Sequence, residues 1–236
     1  MRREVKRFLD AHPPPAIDGR FEDDYTEYVI YVIEDFATPP DSFSTRLGDA
    51  IHNYRCVLDH IAWQLVLNGA TPKPDREDLV QFPIYSTRKK FRSQRAHRLP
   101  GVSRGPIQFI ESRQPYPGRD AADYPLGTLA KLSNDDKHRS IHTVVAGIAR
   151  ADLNWDCTDC VVTGHFASDE APLLKAGTPI AGLFIERTGP NPKVKVDLTI
   201  AAHVTLEDRR GVNLVVERIK AEVTKLLYAP EIVSAV

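Results

Sequence analysis

Between Gly48 and Leu65 the chain carries Asp49, His52, Asn53, Arg55, Asp59 and His60. That is more hydrogen-bonding and titratable chemistry than packing alone asks of a helix. An imidazole moves protons near neutral pH, and a guanidinium holds a phosphate or carboxylate through two donors. Some chemistry is therefore expected near this helix, with Arg55, His60, Asp59, His52 and Asn53 as its candidates. A second polar cluster, Asn134–His142, could complete such a site: Asp136, Lys137, His138 and Arg139 are candidate ligand contacts, Lys137 or Arg139 gripping a phosphate. His138 and His142 stand four apart and could share a metal on a helix, but no third ligand is evident, so no metal site is assigned. Cys157 and Cys160 form a lone C-x2-C pair, for which zinc would need two more ligands, Cys56 and His165 being the candidates.

Each cluster has a plainer alternative. Arg55 and Asp59 have the spacing of an i, i+4 ion pair. Asp135 and Asp136 could cap a helix end while Lys137 or Arg139 pairs with Asp49 or Asp59. Two cysteines at a turn need bind nothing.

Helical geometry sorts the first cluster. Leu47, Ile51, Tyr54, Leu58, Ile61 and Leu65 recur at three and four residues and form an apolar seam. His52, Arg55 and Asp59 then share one stripe; Asp49, Asn53 and His60 share another, with Cys56 and Trp63 on the edge between them. Arg55 and His60 fall about 140° apart. One chain does not bring both onto a single phosphate, so nuclease chemistry through this pair requires a second copy.

These residues carry two resemblances. Gly48–Trp63, Phe82-Pro83-Ile84, Gln114-Pro115-Tyr116, Pro125-Leu126 and Asp136–Arg139 together resemble a family of uncharacterised bacterial proteins with the pattern GDALHNLRxALDHLAW, FPI, QPY, PL, DKHR. The match spans about residues 44–142 and implies no function. Arg55-Cys-Val-Leu-Asp-His60 is similar to the Arg-x4–6-His signature of the HEPN superfamily, many of whose members are metal-independent RNases working at a dimer interface. The resemblance implies that His60 acts as general acid/base and Arg55 holds the scissile phosphate. This chain departs from the pattern at Cys56, commonly polar in that superfamily, and in a strand-rich half that all-helical HEPN domains lack.

The elements that must position these groups follow from periodicity. Residues 25–34 are β-branched and aromatic and predict a strand. Pro39-Pro40 breaks the chain, Ser42 or Ser44 caps a helix over about 45–67, and Asn68-Gly69 ends it. Short helices are predicted near 87–98 and 104–112, and another around Leu126–Leu132. Strands are expected at 141–148, 160–166, 179–187 and 193–206, the last alternating strictly from Val194 to Leu206. An amphipathic helix over about 209–228 closes the pattern and is expected to pack on the sheet. Together they predict an α+β fold: one domain, 1–236, with a helical section at 44–138, a strand-rich section at 139–206 joined by the 25–34 strand in an antiparallel sheet, and the C-terminal helix.

The 42% apolar and 27% charged residues are those of an ordinary globular protein. No apolar run reaches the roughly 18 residues a membrane helix needs. The basic N-terminus lacks an apolar segment before Pro13–Pro15, so no signal peptide is expected. Three cysteines do not make a disulfide framework. The expectation is a cytoplasmic protein without a membrane partner.

Charge is uneven. Residues 88–119 hold nine Lys/Arg, including Lys89, Lys90 and Arg92, against Glu111 alone; that segment is +8, leaving −9 for the rest of a chain of net charge −1. Such a field attracts RNA or another phosphate-bearing ligand, or simply forms a solvated rim. No glycine-rich phosphate loop, dinucleotide fingerprint or serine elbow is present, so no cofactor is expected. Three functions stay open: a HEPN-like metal-independent RNase or RNA-binding protein acting as a homodimer; a non-catalytic binding module whose polar helix is a structural network; and a metal-dependent hydrolase using His52 or His60 with His138.

Overall fold

The computed structural model describes residues 2–22, 24–70, 73–116, 124–138, 143–167, 174–208 and 210–236. Helices and antiparallel strands give an α+β fold. The chain divides into two compact units, each assembled from two stretches: residues 1–43 with 142–212, and residues 44–141 with 213–236.

The first is a β unit. It contains α1 (Arg2–Ala11), β1 (Ile17–Phe21), β2 (Glu27–Val32), β3 (Thr143–Thr158), β4 (Cys160–Ala167), β5 (Pro179–Arg187) and β6 (Lys193–Leu206). The strands do not form one sheet, as the sequence led us to expect. They divide into a four-stranded antiparallel sheet, ordered β1-β2-β5-β4, and a β3–β6 ribbon. The alternation in β6 explains the layering: Val194, Val196 and Leu198 all lie on one face and pack with Leu153 against Ile30, Ile180, Leu183 and Ile185 of the larger sheet. Helix α1, unforeseen in the sequence, buries Val5 and sets Phe8 edge-on to Phe36 and Phe43, with centroids at 6.3 and 5.7 Å. The strand expected at 141–148 is the start of β3, residues 141–142 lying outside the described ones. It continues to Thr158 because β6 pairs with it as far as Lys193.

The second is a helical unit. Helix α2 (Ser42–Gly69) enters it from the β unit; α3 (Arg88–Arg98), α4 (Arg104–Ser112), α5 (Pro125–His138), α6 (Val212–Leu227) and α7 (Pro230–Val233) complete it. Helix α2 begins at Ser42, three residues ahead of the expected start. The predicted seam is the buried one: Leu47, Ile51, Leu58, Ile61 and Leu65 are all at most 5% exposed. Tyr54 is half-buried, and burial, then the Glu217 carboxylate of α6, raise its hydroxyl pKa. The last long helix thus belongs to the helical unit; the sheet is covered by the β3–β6 ribbon instead. Among the described residues no helix is long and apolar enough to cross a membrane.

Two close approaches fix the lower half of this unit. Gly101, at φ +73°, turns the chain between α3 and α4, and its missing side chain lets Ala70 come within 2.6 Å of where a Cβ would stand. Gly69, ending α2, faces the Gly101 carbonyl oxygen at a similar 2.6 Å from its own absent Cβ. The α3–α4 hairpin is therefore seated backbone-on-backbone against the end of α2.

Candidate functional site

Arg55 and Asp59 are committed to the protein's own backbone. Arg55 donates from Nε to Asp59 Oδ2 at 3.1 Å and from Nη2 to Oδ1 at 2.8 Å. The same Nη2 also donates to the Phe82 carbonyl at 2.8 Å, while Asp59 Oδ1 accepts the Phe82 N–H at 2.8 Å. The pair thus reads both polar groups of one residue, much as a neighbouring strand would. Gln114 holds the next stretch: its Nε2 donates to the Pro83 carbonyl at 2.9 Å and its Oε1 accepts the Tyr85 N–H at 2.8 Å. Gln114 is 3% exposed and Phe82 1%. The segment Phe82–Tyr85 has no regular structure, and these side chains satisfy what a helix or sheet would otherwise satisfy.

The other stripe of α2 is different. His52, Asn53 and His60 are exposed. His52 Nε2 contacts Cys56 Sγ at 3.4 Å. His60 borders an apolar groove of about 390 Å³ with Ile61, Leu227, Ile232 and Val236. Arg55 and His60 thus have separate surroundings within one chain. Of the second polar cluster, Asp136 lies over the α2 backbone at Gly48, where a Cβ would stand 2.5 Å from its Oδ1. The side chains of Lys137 and His138, and Arg139 as a whole, lie outside the described residues.

The basic segment resolves into cations with partners and cations without. Arg98 donates to the Leu79 carbonyl at 3.0 Å and to Gln81 at 3.2 Å; Arg113 stands 3.6 Å from buried Glu222. Arg92 and Arg88 share Glu111, at 3.3 and 3.7 Å. Arg88 and Lys90 also sit over the rings of Tyr116 and Tyr85, 5.6 and 5.5 Å from the centroids. The Tyr116 hydroxyl is pushed up to about 12 by burial and then by Glu111. Phe91, wholly buried, is a packing anchor. Lys89, Arg95 and Arg104 have no acid partner among the described residues. Arg119 lies outside them.

Arg95 and Arg104 face a cleft of about 800 Å³ between α3 and α4. Its walls are two stripes at i, i+3, i+4 and i+7: Arg92, Arg95 and Ala96 on α3 with Leu99 at its C-cap, and Arg104, Ile107, Gln108 and Glu111 on α4. Of these, only Arg92 was a named candidate contact; Arg95, Arg104 and Glu111 entered the sequence reading as charges of the 88–119 segment. The signal was present in the matched spacing on either side of Pro100-Gly101, but nothing in the sequence says that the two stripes face each other.

In the β unit Cys157 and Cys160 flank the β3–β4 turn, where Asp159 takes φ +58°. Burial, with Cys160 alongside, pushes the Cys157 thiol up to about 11, which keeps it protonated and unreactive at neutral pH. Cys160 Sγ faces the Thr158 carbonyl at 3.3 Å, and His165 stacks on Trp155 at 5.6 Å. Among the described residues no three His, Cys, Asp or Glu side chains gather as a metal site. The chain matches no protein-family model, and no curated protein or solved structure is significantly similar to it.

Proposed function

We propose that this protein is a non-catalytic RNA-binding protein, in which α2 is the scaffold and the basic α3–α4 edge meets the phosphates. One observation carries the proposal: Arg55, the cation a HEPN-like nuclease would aim at the scissile phosphate, already holds Asp59 and the Phe82 carbonyl through Nε and Nη2. Lys89, Arg95 and Arg104, by contrast, keep theirs for a ligand. Moving Arg55 to a phosphate would strand a carboxylate and a buried carbonyl, an exchange that gains little.

Fluorescence anisotropy with a short single-stranded oligoribonucleotide tests it. Binding is expected to weaken with salt, and each of Lys89→Gln, Arg95→Gln and Arg104→Gln to lower the log–log slope by about 0.7. The oligonucleotide should stay intact in chelator. Cleavage that survives chelator and disappears in His60→Ala would restore the nuclease, with two α2 helices meeting in a homodimer. Absence of binding at low salt removes RNA as the ligand.

A further inference from the structure

We infer that the α3–α4 cleft is a seat for a phosphorylated nucleoside, either a free mononucleotide or the phosphate-bearing end of an RNA. The RNA-end case rests on the RNA-binding function proposed above; the seat itself does not. Four observations converge on it. The first is charge: Arg95 on α3 and Arg104 on α4 both line the cleft without ion-pair partners among the described residues. A terminal phosphate carries about −1.5 to −2 at neutral pH, which two guanidinium groups match; an internal phosphodiester carries a single charge.

The second is the start of α4. Ser103 occupies the N-cap position without a side-chain cap bond, and a Cβ built on Gly105 would meet nothing within 4 Å. Pro106 has no N–H and Ile107 donates to Ser103, which leaves the N–H groups of Arg104 and Gly105 for an anion at this helix start. The third is the lining, where Ala96, Val102 and the buried Leu99 and Ile107 make the space between the two helices partly apolar. Glu111, held by Arg88 and Arg92, supplies a fixed acceptor at the rim, and a ribose diol presents the donors it needs.

The fourth is length. The Pro100-Gly101-Val102 turn closes one end of the cleft, and the Arg92–Glu111 pair, 3.3 Å, crosses from helix to helix towards the other. A continuous strand would have to displace that pair, whereas one nucleotide unit fits between the two barriers. The volume of about 800 Å³ is within the usual range for small-ligand sites.

Titration with adenosine 5′-monophosphate, and with one hexaribonucleotide in 5′-phosphorylated, 3′-phosphorylated and unphosphorylated forms, tests the seat. A terminal phosphate is expected to tighten binding at least tenfold, and Arg95→Gln/Arg104→Gln to remove that gain. Ala96→Trp fills the cleft without changing charge and should do the same; Lys89→Gln/Lys90→Gln should weaken all three RNAs alike. Unchanged melting temperatures confirm that the variants fold. Nucleotide binding without RNA binding identifies the free mononucleotide as the ligand and ends the RNA proposal alone. Equal affinity for all three RNAs, with no binding of the mononucleotide, overturns the seat and leaves RNA binding standing. If none of the four probes binds, both fall.

Discussion

Arg55 on α2 and Arg95 on α3 belong to the same helical unit and have opposite fates. Arg55 is turned inward, with its side chain 18% exposed, and is hydrogen-bonded through Nε and Nη2 to Asp59 and Phe82. Arg95 lines an open cleft and makes no ion pair among the described residues, Glu111 of the same cleft being taken by Arg88 and Arg92. Both sit on helices, and both belong to dense polar stretches that look functional from composition alone. The difference is whether an irregular backbone segment lies within reach. Where one does, as at Phe82–Tyr85, the polar groups are consumed in satisfying it; where none does, they remain for a ligand.

That contrast is open to breakage from the stability side first. Asp59→Ala leaves Arg55 without its carboxylate and the Phe82 N–H unpaired, and is expected to cost about 2–3 kcal/mol. Urea unfolding followed by far-UV circular dichroism measures this, and a loss below about 0.5 kcal/mol, the size of an ordinary surface change, would show the clamp to be idle. Gly101→Ala comes next, at about 2 kcal/mol: a left-handed backbone costs an L-residue roughly 1–2 kcal/mol, and the new methyl meets Ala70. Because Gly101 also shapes the cleft, this variant should lose preference for a phosphorylated end even at temperatures where it is folded.

Arg95→Gln and Arg104→Gln sit at the opposite pole, each expected within about 0.5 kcal/mol of the parent while binding suffers. His60→Ala is expected to be equally mild and, on the present proposal, to leave RNA binding unchanged. A stability loss at Arg95 matching that at Asp59 would erase the distinction between the two arginines. The smallest effect should come from the β unit. His203 is half-buried, and burial lowers its pKa from 6.5. Below that value the unfolded chain binds the proton more readily, so stability declines as pH falls through 6.5 and levels off beneath the folded-state pKa. His203→Phe should flatten that slope in pH-dependent melting.

How far all this was legible varies with the range of the forces involved. Strands β5 and β6 fall residue for residue where they were expected, β6 by its alternation and β5 by a short apolar run between Pro179 and Gly189, because both are local signals. Helix α2 and its seam were legible for the same reason. Strand β1, Ile-Asp-Gly-Arg-Phe, has poor intrinsic preference and exists because β2 pairs with it; Gly19 is there because the Tyr28 ring lies over it, 2.4 Å from where a Cβ would stand. Helix α1 carries a clear amphipathic pattern, with Val5, Phe8 and Leu9 set against Arg and Lys, but so short a stretch ahead of Pro13–Pro15 reads only as a basic N-terminus. The Arg55–Asp59 spacing advertised a pair, but its target lies at Phe82, and a contact at that separation leaves no mark on either sequence window. The excess of cations was equally plain, while which of them are spent depends on where Glu111 and Glu222 end up.

The interleaving of the two units bears on how the chain is made. Val29 of β2 pairs with Gly182 of β5, so most of the helical unit emerges from the ribosome between the two partners. At about 5–20 residues per second, the β1–β2 hairpin waits on the order of 10–30 s with Ile30 and Val32 uncovered. The helical unit, in turn, receives α6 and α7 only after the last strand. Neither unit can finish before the other is nearly complete, and the exposed hairpin is the place where a chaperone, or a second nascent chain, would first find something to hold.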